Sequence, residues 1–334
     1  MLYRFVLLKI ATLITLFLLG GCAGLAFDEN LPRLAFAASG TDTISRSMPV
    51  IVSERPRHSY NRIGQPEIVS EAQRVTLRIN PAKAVVYTEK RLFETTNGQY
   101  TNLIYRLHFE KVPFSLLPFN LTTGKNVGLL LVVTLNSQQQ AVLLTTVHTC
   151  GCYLAIQPTN YLPKSAYPDN WNTHQQSVYG AVLPGLLQLS GADDEKFVIY
   201  LQDETHRVNH IDVLPLDKVI AQYAVQPLTL RPMSDLDKLP RSAGSESGGS
   251  ESARFESMFE TSGADTGYVR GVSKPFEFLL VSWWALDSRV GVDKRYGMPG
   301  DDGPSFYTSL KPWARQASDM RDFPGFLNYW GWRL

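Results

Sequence analysis

The stretch AVVYTEKRLFETTNGQYTNLIYRLHFE, Ala84–Glu110, decides the fold. Ala84–Leu92 and Tyr100–Phe109 are rich in β-branched and aromatic residues, and the turn between them, from Thr95 through Asn97 and Gly98, reads as a β-hairpin because Asn-Gly accepts the positive φ of a tight turn. Outward from it the pattern repeats. Gln73–Ile79 alternates before the break at Asn80-Pro81. Lys125–Leu135, Ala141–Ile156 and Phe197–Gln202 follow, and Asp203-Glu204-Thr205 reads as a turn into His206–Leu214. Residues 67–232 are therefore predicted to form a mainly β domain, an antiparallel β-sandwich or a strongly bent sheet.

The flanks have a different composition. From Ala37 to Pro66 the chain runs through Ser, Thr, Arg and Pro with little apolar periodicity, so residues 22–66 are predicted to be a tether; an irregular packed arm is the alternative. Residues 233–266 contain Gly244-Ser245-Glu246-Ser247-Gly248-Gly249-Ser250, the composition of a linker or long loop. Residues 267–334 hold five of the six tryptophans, and such a density of rings predicts a C-terminal segment packed on the β domain rather than a sugar-stacking surface. Ser309–Asp319 is predicted to supply its short helix. The apolar runs Val127–Leu135 and Phe276–Leu286 are read as buried strands or core, too short for a bilayer span of roughly 20 residues.

The chain has 334 residues, 44% of them hydrophobic, and a formal charge of +1. That balance gives no basic surplus for nucleic acid.

At the N-terminus, Arg4 and Lys9 precede the apolar run Ile10–Leu19, and Leu19-Gly20-Gly21-Cys22 closes it. This is the layout of a removable export leader, residues 1–21. Leu19-Gly20-Gly21-Cys22 resembles the lipobox of bacterial lipoproteins, which implies that Cys22 is acylated and becomes the first mature residue. An ordinary secretory leader cut near Ala23 or Ala26 is the alternative. The resemblance implies a membrane partner held through lipid, and Ala23, where an aspartate would retain the protein, points to an outer-membrane lipoprotein facing the periplasm. Acyl burial at about 0.8 kcal/mol per methylene makes several chains a lasting anchor.

One constellation carries chemistry: His148-Thr149-Cys150-Gly151-Cys152-Tyr153, at the end of the strand-like run from Ala141. Alternation puts His148, Cys150 and Cys152 on one face. With Cys22 acylated, Cys150 and Cys152 are the remaining thiols, in an oxidising compartment. Three readings stand: a Zn or Cu site with a fourth ligand from elsewhere, a thiol–disulfide couple, and a structural disulfide or thiol pair. In an extended strand the two Cα atoms would lie about 6.8 Å apart, at the limit for bridging, unless Gly151 bends the chain. For a fourth ligand, His206 and His210 lie in a strand-like region and cannot both serve one metal. His174 reads as a surface residue, and His108 as a strand residue. No helical His-Glu-x-x-His, nucleophile elbow or phosphate-binding glycine loop is present. Asp287, Asp293, Asp301 and Asp302 match no calcium loop and read as solvated turns.

The H-x-C-G-C-Y motif His148–Tyr153, followed by Pro158-Thr159, is similar to a segment of uncharacterised lipoproteins of Gram-negative bacteria. Glu256-Ser257-Met258-Phe259, Phe276–Val281 and the aromatic tail resemble that family as well. The family carries no assigned activity, so the resemblance implies export and anchoring. Two functional classes remain: a binding or structural envelope protein, with other envelope proteins as partners, and a thiol oxidoreductase or metal-dependent enzyme using the same trio.

Overall fold

The structure is a computed structural model that describes residues 28, 30–71, 74–242, 255–301 and 303–334. Cys22, Asp302 and the Gly244–Ser250 run lie outside them. The strands are β1 (Arg33–Ala38), β2 (Val50–Glu54), β3 (Gln65–Glu71), β4 (Arg74–Asn80), β5 (Val85–Thr95), β6 (Gly98–Val112), β7 (Gly124–Leu135), β8 (Ala141–His148), β9 (Ala155–Pro158), β10 (Gln175–Val178), β11 (Ala181–Pro184), β12 (Glu195–Leu201), β13 (Val208–Pro215), β14 (Ala224–Pro232), β15 (Leu239–Ser242) and β16 (Phe255–Glu256). The helices are α1 (Thr43–Ser47), α2 (Leu216–Gln222), α3 (Pro275–Ala285) and α4 (Phe323–Tyr329).

Mainly β architecture with a large bent sheet is what the chain adopts. Among the described residues, ten strands form one curled sheet in the order β13-β12-β2-β1-β14-β5-β6-β7-β8-β9. The hairpin is there, with Thr95 opposite Gly98 and Tyr87 opposite Arg106, and its two turn residues are Thr96 and Asn97 rather than Asn97 and Gly98. Antiparallel pairing continues through β6–β7, β7–β8 and β8–β9. Three ladders of this sheet are parallel: β1 with β14, β2 with β12, and β14 with β5. These join strands far apart in the chain, such as Leu34 with Ala224, which no local turn signal announces.

The curl encloses one apolar core, to which β6 contributes Leu103, Tyr105, Leu107 and Phe109 and β7 contributes Leu129, Leu131 and Val133. The alternate residues Ile104, Leu130 and Val132 face a second core, closed by Phe306, Phe326 and Trp332 of the C-terminal segment. Burial on both faces accounts for the near-continuous hydrophobicity of Val127–Leu135. Each fully buried large side chain here contributes roughly 1.5–3 kcal/mol.

Four expectations are corrected. Residues 33–66 are not a tether: β1 and β2 are sheet strands, and Phe36, Ile51 and Val52 are fully buried. Short strands that take their partners from elsewhere in the chain need little periodicity of their own. The linker boundaries also move inward, since Leu236 and Leu239 on one side and Met258 and Phe259 on the other build a third core. Phe276–Leu286 is not a strand, and only Val281 and Ala285 of it are apolar core. It is largely α3, started by Pro275 in its first turn and closed by Leu286 in the left-handed region. Ser309–Asp319 contains only a single 3-10 turn, Pro312–Ala314, and the short C-terminal helix is α4, capped by the Asp322 side chain.

Candidate functional site

His148 is the last residue of β8, and the chain turns immediately after it. Gly151 N–H donates to the His148 carbonyl at 2.8 Å, and His148 N–H donates to the Cys152 carbonyl at 2.9 Å. Gly151 sits at φ 95°. A Cβ there would fall 2.0 Å from the Tyr307 carbonyl oxygen, so both the conformation and the close approach require glycine. The turn brings the Cys150 and Cys152 Cα atoms to 5.6 Å, and the two sulfurs form a disulfide. The expected shared face of an extended strand is thus replaced by a turn, with the same gathering of the three residues. The ligand atoms of His148, Cys150 and Cys152 lie within 4.8 Å of one another.

The imidazole is held in a defined state. His148 is buried, and its Nε2–H donates to the His206 carbonyl at 3.2 Å. That bond leaves Nδ1 with the ring's lone pair. Burial, aided by the positive charge of Lys274, holds its pKa well below the ordinary histidine value, so the ring is neutral. Tyr153 sets its ring edge-on to His148 at 4.9 Å and lies under the Arg207 guanidinium at 4.3 Å. Cys150 is buried, whereas Cys152 is partly exposed.

Behind the turn lies a buried ionic layer. Thr149 Oγ1 donates to Asp293 Oδ1, and the Thr149 carbonyl accepts from Lys294 N–H at 2.9 Å. Asp293 Oδ2 lies 3.4 Å from Lys274 Nζ, and Glu277 Oε2 lies 3.9 Å from it on the other side. Burial alone would lower the Lys274 pKa, but the two carboxylates more than offset it and the net direction is upward. Lys294, fully buried, donates from Nζ to the Cys150 carbonyl at 2.9 Å and sits 4.0 Å from the Tyr307 ring centre. Burial pushes its pKa down to about 8, against the pull of Asp287, Asp293 and Glu277. Arg106 of β6 donates to the Lys294 carbonyl at 2.8 Å and to His108 Nε2 at 3.0 Å. The disulfide turn is therefore clamped from below by the 293–294 segment and by α3.

The histidines proposed as a fourth ligand stand elsewhere. His206 occupies the left-handed region at φ 56°, donates to the Tyr60 carbonyl at 2.7 Å and stacks on Phe109. His210, in β13, pairs with Asp212 at 3.0 Å. His174 is exposed, and His108 is committed to Arg106. Among the described residues, the only cluster of three or more such ligands is the trio itself.

Sequence reasoning found the trio and missed its support. Asp293 is not a solvated turn residue but a buried counter-ion. Lys274, Glu277 and Lys294 carried no signal, because one buried lysine reads like any exposed one; the Lys-Pro-x-Glu spacing around Pro275 was the single local hint. A cavity of about 300 Å³ on the far side of Arg106 has walls that include Arg91, Asp237, Phe259 and Arg295. Arg91 and Arg295 there are already paired with Glu89 and Asp237.

No protein-family model, curated protein or solved structure matches the chain. Among the described residues, no helix is long and apolar enough to cross a membrane.

Proposed function

We propose that this is an exported protein, lipid-anchored at Cys22 and facing the periplasm from the outer membrane, whose His148, Cys150 and Cys152 bind one soft metal ion when the disulfide is open. The observation that carries the metal reading is the gathering of one neutral imidazole and two sulfurs within 4.8 Å. Two thiolates and one imidazole suit Cu(I) or Zn²⁺. With three protein donors among the described residues, the set favours Cu(I), which accepts three ligands, over a closed four-ligand zinc site. Opening the bond needs two electrons and two protons from a dithiol reductant, which leaves as its own disulfide; the two new thiols lose their protons to solvent as the metal binds.

The test compares the full-length chain in oxidised and reduced forms. Reduced protein should take up one equivalent of Cu(I) against a competing chelator, oxidised protein none, and His148→Gln should weaken uptake by about 10–100-fold. Failure of the reduced wild type to bind either Cu(I) or Zn²⁺ removes the metal reading. The partial exposure of Cys152 beside buried Cys150 favours a second reading, thiol–disulfide exchange, in which an incoming thiolate attacks Cys152 Sγ and Cys150 leaves as thiolate. Rapid equilibration with a dithiol of known potential would support it. The anchoring reading rests on Leu19–Cys22 and Ala23. Mass spectrometry of the mature N-terminus decides it, and Cys22→Ala should release the protein from membranes.

A further inference from the structure

α3 is turned inside out for a helix on a water-exposed surface. Its buried row is Glu277, Val281 and Ala285, while Leu279 is 67% exposed and Trp283 72%. Phe278, Leu280 and Trp284 are exposed too. The inward carboxylate has a reason, since Glu277 faces buried Lys274 beneath the disulfide turn. The outward Trp, Leu and Phe have none among the described residues.

The patch continues onto neighbouring segments. In the loop between β6 and β7, Leu117 is 91% exposed, and Phe114 and Phe119 set their rings against Phe276 at 5.6 and 5.2 Å. At the other end of α3, Leu286 is 73% exposed, and Arg315, which follows exposed Lys311 and Trp313 in the chain, donates to the Ala285 carbonyl. Side chains this exposed stand on a convex protrusion rather than line a groove. A convex apolar surface carrying tryptophans and a lysine has the make-up of a bilayer-interface element.

The course of the chain supplies the occupant. Pro32, just before β1, accepts from Arg55 N–H at 2.8 Å, and Arg55 pairs with Asp203 at 2.9 Å. The next residue, Glu204, accepts from Asn120 Nδ2 at 2.7 Å, and Asn120 belongs to the same loop as Leu117. The N-terminal end of the described body is thus linked, through Arg55, Asp203 and Glu204, to the loop that carries Leu117. Only five residues lie between Cys22 and Asp28, so the six steps from one to the other reach about 20 Å at most.

We infer that Leu117, α3 and Trp313 form a surface that dips into the lipid interface of the membrane to which Cys22 is tethered, fixing the orientation of the body. This rests on the anchoring reading for its geometry. The surface holds one side of the disulfide turn through Glu277 and Lys274, so lipid contact and the state of the turn share an element.

The full-length acylated chain is reconstituted in phosphatidylethanolamine–phosphatidylglycerol vesicles with brominated acyl chains, and tryptophan quenching is compared with Trp283→Phe and Leu279→Glu. Quenching is expected in the wild type, with part of it lost in Trp283→Phe, where Trp284 and Trp313 remain, and a several-fold drop in Leu279→Glu. Because Trp283 and Leu279 are exposed, both variants should keep the wild-type unfolding midpoint. An acylated protein whose fluorescence brominated lipid does not change overturns the surface and leaves the anchor standing; a dimer with Trp283 shielded from lipid overturns it in favour of a second copy. If Cys22 carries no acyl chain, the anchoring reading falls separately. Quenching of the unacylated chain by added vesicles then decides the surface on its own.

Discussion

Lowering the pH should unfold this protein through its buried histidines. His108, His148 and His206 are each at most 4% exposed. Burial lowers the pKa of all three, that of His206 to about 3 and those of His108 and His148 well below 6.5. In the unfolded chain each titrates near 6.5. Between that value and the folded pKa the unfolded state binds more protons, so stability is fully present above about pH 6.5 and is lost as the pH falls. From pH 7.5 to 5.0 the neutral His206 imidazole removes about 2 kcal/mol, a sizeable part of a typical 5–15 kcal/mol, and His108 and His148 act in the same direction. Glu54 and Glu277, whose pKa values burial raises, act in the opposite direction by taking up protons first in the folded state. The clean measurement is therefore a difference. Urea unfolding of oxidised protein, followed by tryptophan fluorescence from pH 7.5 to 5.0, is compared with His206→Asn, asparagine being suited to the left-handed backbone at that position. The variant's stability should depend on pH less steeply, by up to about 1.4 kcal/mol per pH unit. Parallel curves for the two proteins would refute the reasoning.

Three further outcomes test the support around the turn. Gly151→Ala should cost at least about 2 kcal/mol, because its Cβ meets the Tyr307 carbonyl and the residue sits at positive φ; a variant within 0.5 kcal/mol of wild type by urea midpoint would contradict the assigned turn. Lys274→Met leaves the Asp293 and Glu277 carboxylates buried without their shared cation, at a cost of roughly 3–5 kcal/mol, whereas replacing all three by apolar residues of similar volume should recover much of it. Opening the disulfide by Cys150→Ser with Cys152→Ser should cost only about 1.6 kcal/mol by loop entropy, because the closed loop is so short; a loss above about 4 kcal/mol would give the bridge a structural weight that this estimate denies it.

How much could be read in advance depended on the range of the interaction. The hairpin around Asn97 is written locally, and so were the two strands it joins. The pairing of Leu34 with Ala224 is not, and the same absence of a local signal made residues 33–66 look like a tether. The tail divided. Phe306, Phe326 and Trp332 pack as the ring density suggested, yet Trp283 and Trp313 face outward, because which ring is covered depends on what the sheet places beneath it.

By itself the sequence determined the β character, the position of the main hairpin and the proximity of His148, Cys150 and Cys152, since all three follow from side-chain alternation, turn chemistry and short spacing. Tertiary structure alone decided that Cys150 and Cys152 close on each other through Gly151, that Lys274, Glu277, Asp293 and Lys294 lie buried beneath them, and that α3 turns its apolar side chains outward. The physical reason is that burial and charge pairing are properties of the space between segments. Asp293 and Lys274 become an ion pair only when β7, β8 and α3 converge on one point, and nothing in the neighbours of either residue encodes that convergence.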